Sequence, residues 1–118
     1  MDGFNTKFIM IIEDIKKGEI LSTELEKYIK EHCDKNIFKK CILSLMDHND
    51  EYVKIYSSRY SFEYDIDKKK AYDNARYILR NSKDNTCRME AKYIYDRYKR
   101  RHISKLIKVL MKKQLKNS

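Results

Sequence analysis

The sequence predicts a mainly α-helical, compact domain of five to six helices, with a short β-hairpin near residues 52–66 and a long basic C-terminal helix; an all-α bundle is the alternative. Three observations carry this expectation. Apolar residues recur at three- and four-residue steps through most of the chain, the period of an amphipathic helix. Between residues 60 and 66 they alternate instead, the period of a half-buried strand. The chain has no proline and only Gly3 and Gly18, so nothing in its composition divides residues 1–118 into two domains. At 118 residues it is long enough to bury a core without disulfides or metals.

Each element follows in order. Phe4, Phe8, Ile11, Ile12 and Ile15 share one face of a first helix over residues 4–17, and Gly18 stands where a glycine C-cap belongs. Thr23 and Glu26 have capping-box spacing at the start of a second helix over residues 22–33, striped by Leu25, Tyr28 and Ile29. Asp34 is expected to cap a third, where Phe38, Cys41, Ile42, Leu45 and Met46 repeat at i, i+3, i+4, i+7 and i+8. Val53 and Ile55 then flank Lys54, Ser57-Ser58-Arg59 supplies a turn, and Tyr60, Phe62, Tyr64 and Ile66 alternate with Ser61, Glu63 and Asp65. Aromatic enrichment with alternation reads as a hairpin; a fourth helix through residues 50–59 competes with it. Helical spacing returns at Ala71, Ala75, Ile78 and Leu79 behind an N-cap at Asp67. Residues 81–85 interrupt it, and Asn85 or Thr86 is expected to cap a last helix reaching about residue 115.

Three helices and a hairpin resemble the element order of a winged helix-turn-helix over residues 4–66. The resemblance divides the domain into a winged-helix-like part (residues 1–66) and a helical part (residues 67–118). It implies that the third helix enters the major groove while the hairpin touches the flanking backbone. Lys35, Asn36, Lys39, Lys40 and Leu43 would face outwards on that helix, and Lys54 and Arg59 on the hairpin. Helix three carries no arginine, the commonest base-reading residue, which counts against sequence-specific reading.

Charge points to a partner class. The formal net charge is +9, yet residues 1–50 hold eight basic and ten acidic side chains while residues 86–118 hold eleven and two. After Asp96 no acidic residue occurs at all. Solvated helices interleave opposite charges at i, i+4, and like charges there cost about 0.2–0.5 kcal/mol per pair, so an unrelieved basic face calls for an anionic ligand. Ala91, Ile94, Tyr95, Tyr98, His102, Leu106 and Val109 are expected along the apolar side of this helix, and Arg97, Arg100, Arg101, Lys105, Lys108 and Lys112 along or beside the basic side. Together with Lys39, Lys40, Lys54 and Arg59 these form the expected nucleic-acid-binding set. A further strip of Ile103, Ile107 and Leu110 widens the apolar side and leads to the expectation of a homodimer.

Other chemistry finds little footing. His32, Cys33, Cys41 and His48 lack the paired spacing of zinc ligands. No glycine-rich phosphate loop, nucleophile–base spacing or paired-carboxylate motif is present, so neither a cofactor, a metal nor an enzymatic activity is expected. Three cysteines cannot all pair within one chain, the apolar run from residue 8 to 12 is too short for a signal peptide, and no stretch has the length of a membrane span; an intracellular location, cytoplasmic or nuclear, is expected. Many Ile, Lys, Asn and Tyr with few Ala, Gly and Pro suggest an AT-rich genome such as that of a large DNA virus or phage. The expected function is a small, basic, non-enzymatic nucleic-acid-binding protein, DNA or RNA, acting as a transcription or replication accessory factor. The alternative is a viral or phage interaction module that captures a host protein through an acidic surface or a helical groove.

Overall fold

The fold is organised around α4 (Glu51–Glu63), whose Val53, Ile55, Tyr56, Ser57, Ser58, Tyr60, Ser61 and Phe62 are all buried. The computed structural model describes residues 2–116. Around α4 pack α1 (Asp2–Lys16), α3 (Phe38–Leu45), α5 (Lys68–Asn81) and α6 (Asn85–Lys116), while α2 (Ser22–His32) closes against α1. The protein is mainly α: six helices and, among the described residues, no strand.

The hairpin expected near residues 52–66 is therefore corrected to a helix, and the winged-helix likeness loses the wing that carried it. The reason is physical. A helix enclosed on most sides has no polar face, so its 3.6-residue period vanishes from the sequence. What remained legible was large side chains alternating with Ser61, Glu63 and Asp65, a pattern that also fits a strand.

The serines make the enclosure workable. Ser57 donates to the carbonyl oxygens of Val53 (2.7 Å) and Lys54 (3.0 Å), and Ser58 donates to that of Lys54 (2.6 Å). Asn74 of α5 then donates to Ser58 Oγ (2.9 Å) and to the Met46 carbonyl (3.0 Å), joining α3, α4 and α5. Small hydroxyls satisfied by the backbone let neighbouring helices approach α4 closely without leaving those hydroxyls unpaired.

Helix ends show where local signals were read well and where they were shifted. Gly18, at φ 73°, closes α1 as expected, with Glu19 N–H bonded to Asp14 O and Gly18 N–H to Ile15 O, both 3.0 Å. Asp67 caps α5 through the Lys70 amide (3.0 Å). Thr23 and Asp34 do not cap: α2 is preceded by Leu21 and α3 by Ile37, neither with a side-chain bond. The α6 cap is Asp84, which accepts from the Cys87 amide (3.0 Å), one residue before the expected Asn85.

Two of the capping carboxylates are also tuned. Burial alone would raise Asp50, but Lys16 and the Tyr52 and Val53 amides hold it below the ordinary carboxylate range. Asp84 is lowered chiefly by the Tyr52 hydroxyl (2.7 Å), then by the Cys87 amide. A carboxyl whose folded pKa lies below its unfolded value stabilises at higher pH, and that contribution is lost as pH falls through the folded value. Melting temperature is therefore expected to stay level from pH 7 to about 5 and to fall below about pH 4. Asp84→Asn, which keeps a capping oxygen but no charge, should make that fall shallower in a pH series of thermal melts. An equally steep fall would remove Asp84 from the cause.

α6 is two helices in one. Its first half presents Cys87, Ala91 and Ile94 to the core, with Tyr95 and Tyr98 half-buried against α5. Every residue from Arg101 to Lys116 is exposed. The expected apolar line through His102, Leu106 and Val109 is thus corrected, because α5 starts at Lys68, one turn before the Tyr72 that stacks on Tyr98, and among the described residues no helix lies beyond it to cover them. At about 1.5 Å per residue, residues 99–116 project about 27 Å. The radius of gyration is 16.7 Å, against about 13.5 Å for a compact chain of this length. Removing residues 103–118 should therefore change folding free energy by no more than about 0.5 kcal/mol, checked by urea unfolding; a non-cooperative or much weaker transition would place those residues in the fold.

Candidate nucleic-acid interface

The projecting half of α6 has two opposed faces, and helix geometry explains why. Seven, eleven and eighteen residues are about two, three and five whole turns, so Arg101, Lys105 and Lys112 prolong the line that carries Ile94 into the core. Lys108 and Lys116 lie within about a quarter-turn of that line. Nine residues are two and a half turns, so Ile103 falls on the opposite side, joined there by Leu106, Ile107, Leu110 and Met111. Those five side chains are 49–60% exposed. The core-facing line of α6 thus becomes basic where the core ends, and the apolar face switches to the outside.

The basic line meets the body at a notch. Tyr98, Arg101, His102 and Lys105 on one side and Asp65, Lys68 and Lys69 on the other line a cleft of about 300 Å³. A tight turn brings the second group there: Asp65 adopts a left-handed φ of 56°, the Ile66 amide bonds back to Ser61 O (2.8 Å), and Ser61 Oγ accepts from the Asp67 amide (2.9 Å). The N-terminus of α5, capped by Asp67, therefore opens beside Arg101 and Lys105. Lys68 and Lys69 are partly neutralised by Asp65 (3.7 Å) and Asp73 (2.7 Å). Among the described residues no ion pair engages Arg97, Arg100, Arg101, Lys105, Lys108, Lys112 or Lys116.

A ladder of rings holds the root of the projection. Tyr72 stacks on Tyr98 (4.3 Å between centroids) and on Tyr95 (5.4 Å), and Tyr98 on His102 (5.4 Å). Lys99 lies over Tyr95 at 4.6 Å; their hydrogen bond lowers the Tyr95 phenol and raises the Lys99 ammonium. Tyr93 is half-buried under Arg97 (3.6 Å) and Arg59 (5.0 Å), so its face is already occupied.

The ten expected contact residues are thus dispersed. Arg101, Lys105, Lys108 and Lys112 form one exposed stripe. Arg97 is exposed at its start, folded over Tyr93, and Arg100 flanks the outer apolar face instead. Lys39 and Lys40 are exposed on α3, whose packing partners are α4 and α1. Lys54 donates to the Met46 carbonyl (3.2 Å) at the end of α3. Arg59 sits among Glu26 (3.7 Å), Glu63 (3.0 Å) and Glu90 (2.8 Å), tying α2, α4 and α6 together. The expected set does not include Lys116 or the cleft residues Lys68, Lys69 and His102. Lys116 continues the period of the stripe and was open to discovery; the notch depends on where α5 begins.

A cleft of about 600 Å³ between α1 and α2 mixes Lys7 and Lys27 with Asp14, Glu19, Glu24 and Glu31 and offers a polyanion no net attraction. His32 Nδ1 lies 2.8 Å from the Tyr28 carbonyl and His48 Nδ1 accepts from the Asp50 amide (3.0 Å), so both rings serve local structure. Among the described residues no group of three or more His, Cys, Asp or Glu is placed to hold a metal ion, and no helix is long and apolar enough to cross a membrane. Comparison of the chain with protein-family models, curated proteins and solved structures found no match.

Proposed function

We propose that the chain is a non-enzymatic nucleic-acid-binding protein that grips a phosphate backbone with the projecting half of α6. The observation that carries the reading is the stripe of Arg101, Lys105, Lys108, Lys112 and Lys116, exposed along its length and, among the described residues, engaged in no ion pair. Its spacing brings a cation to one side of the helix at nearly every turn, and the notch at Lys68 and Lys69 extends the positive surface onto the body. Such contacts fix position along a duplex without reading bases, in keeping with the absence of a wing and the lack of arginine on α3. Lys39 and Lys40 remain a second, separate basic surface; Lys54 and Arg59 are left out, since their charges are used inside the fold. The role that suits such binding is that of an accessory factor acting on DNA or RNA.

The test is binding to duplex and to single-stranded oligonucleotides as salt rises from about 50 mM, where electrostatic affinity is strongest. Binding that weakens steeply and log-linearly with salt is expected. No binding to either form at the lowest salt would end the proposal. A second reading, capture of an acidic protein surface, draws on the exposed apolar face of α6. It predicts a stoichiometric protein partner that survives nuclease treatment and no retention on duplex.

A further inference from the structure

We infer that the notch between α5 and α6 binds the terminal phosphate monoester of a nucleic-acid strand whose backbone lies along the α6 stripe. The inference rests on the reading just given and adds a strand end to it. One observation of shape and one of charge carry it. The stripe is a track with a stop. Inward from Lys112 through Lys108 and Lys105 to Arg101, every residue is exposed. Further in, the same side of the helix belongs to the body: Tyr98 stacks on Tyr72 of α5 at 4.3 Å, and Ile94 is fully buried. A backbone that follows the stripe therefore cannot continue along α6 past Arg101. It arrives at the notch of about 300 Å³, where Asp65 and the first residues of α5 stand across its path. An internal phosphate needs room for chain on both sides, whereas a terminal one needs it on one.

Charge in the notch exceeds what an internal phosphate supplies. Lys68 and Lys69 line it from the body and Arg101 and Lys105 from α6, so cations converge here from two elements. Farther out along the stripe they come from one helix only. Against these four cations stand two carboxylates: Asp65, which also lines the notch, and Asp73, which holds Lys69 at 2.7 Å. Four less two leaves a surplus of two. A phosphodiester carries one negative charge, a phosphate monoester about 1.5–2 at pH 7. Asp65 is a weak counterion, with its side chain 81% exposed and 3.7 Å from Lys68, beyond hydrogen-bond distance, so a phosphate can take its place. Tyr98 and His102 line the same space and bring a hydroxyl and a ring N–H able to donate to phosphate oxygens. A soluble phosphate monoester or a phosphorylated lipid headgroup shares this chemistry. The strand end is favoured because the stripe leads into the notch.

The measurement is binding of the full chain to one short oligonucleotide, as single strand and as duplex, carrying a 5′-phosphate, a 3′-phosphate or only hydroxyl ends. At equal ionic strength, one of the phosphorylated ends is expected to bind about ten-fold more tightly than hydroxyl ends, as the added charge engages two partly exposed cations. In Lys68→Gln/Lys69→Gln that ratio should fall to near one, whatever happens to overall affinity. Both substitutions lie in the first turn of α5 and remove only the pairs with Asp65 and Asp73, so thermal melts should stay close to wild type. Lys105→Gln, on the exposed half of α6, should lower the ratio without touching α5 at all. Lys112→Gln/Lys116→Gln should weaken every form alike and keep the ratio. Equal binding of phosphorylated and hydroxyl ends, or a ratio that survives in Lys68→Gln/Lys69→Gln, overturns the inference and leaves the nucleic-acid reading standing. No binding of any form at the lowest salt refutes both. A nucleoside monophosphate that binds as tightly as the phosphorylated strand, or vesicles of a phosphorylated inositol lipid that bind more tightly, would give the notch to a soluble ligand or a membrane and overturn the strand-end assignment.

Discussion

Exchanging Arg101, Lys105, Lys108 and Lys112 together for Gln is expected to lower the log–log salt slope of duplex binding by up to about 3.6, at about 0.9 per lost phosphate contact. Between about 50 and 200 mM salt, four such contacts account for roughly a hundred-fold change in affinity. The fold should not notice. All four side chains are exposed, and glutamine propagates a helix nearly as well as lysine or arginine. Removing like charges at i, i+3 and i+4 should even relieve a small repulsion. Fluorescence titrations at several salt concentrations, with thermal melts alongside, read both effects. An unchanged slope in a normally folded variant would mean that these cations only solvate the helix.

Arg59→Met should do the reverse. Arg59 is half-buried beside Glu90 and Glu63 and reaches Glu26, with its side chain 22% exposed and that of Glu90 18%. Burial alone would lower its pKa, but the surrounding carboxylates raise it above its already high ordinary value. Methionine keeps much of the packing volume and removes the charge, leaving half-buried carboxylates from three helices without a cation. Breaking a buried ion pair from one side costs about 3–5 kcal/mol, and the partial exposure of Glu26 and Glu63 brings the expectation to about 2–3 kcal/mol. That corresponds to a fall in melting temperature of about 10 °C for a domain of this size. The salt slope of nucleic-acid binding should be unchanged. A stable Arg59→Met protein that binds with a shallower slope would mean that this arginine reaches a phosphate.

The contrast between these two sets of cations marks where the sequence could be read and where it could not. Helices with one wet face announced themselves: Phe38, Cys41, Ile42, Leu45 and Met46 are all buried in α3 as their spacing required, and so are Ala71, Ala75 and Ile78 in α5. α4 did not, because enclosure removed the polar face on which periodicity depends. Arg59 was misplaced for the same reason; assigned to a hairpin turn it would face solvent, whereas on the central helix it meets carboxylates from α2 and α6. The exposed stripe of α6 was legible as a run without acids. Its orientation was not. Whether the line through Ile94 continues as core depends on where the neighbouring helix starts, which is a property of the packed molecule and not of α6.

The most direct test of the central claim is to map, by amide chemical-shift perturbation in the labelled full chain, where a short duplex or single strand touches. Perturbations are expected along residues 98–116 and at Lys68 and Lys69, fading as salt is raised, with α2 and the α1–α2 cleft silent. Perturbations centred on Lys39 and Lys40 of α3, or none along α6 under conditions where binding is saturated, would contradict the account.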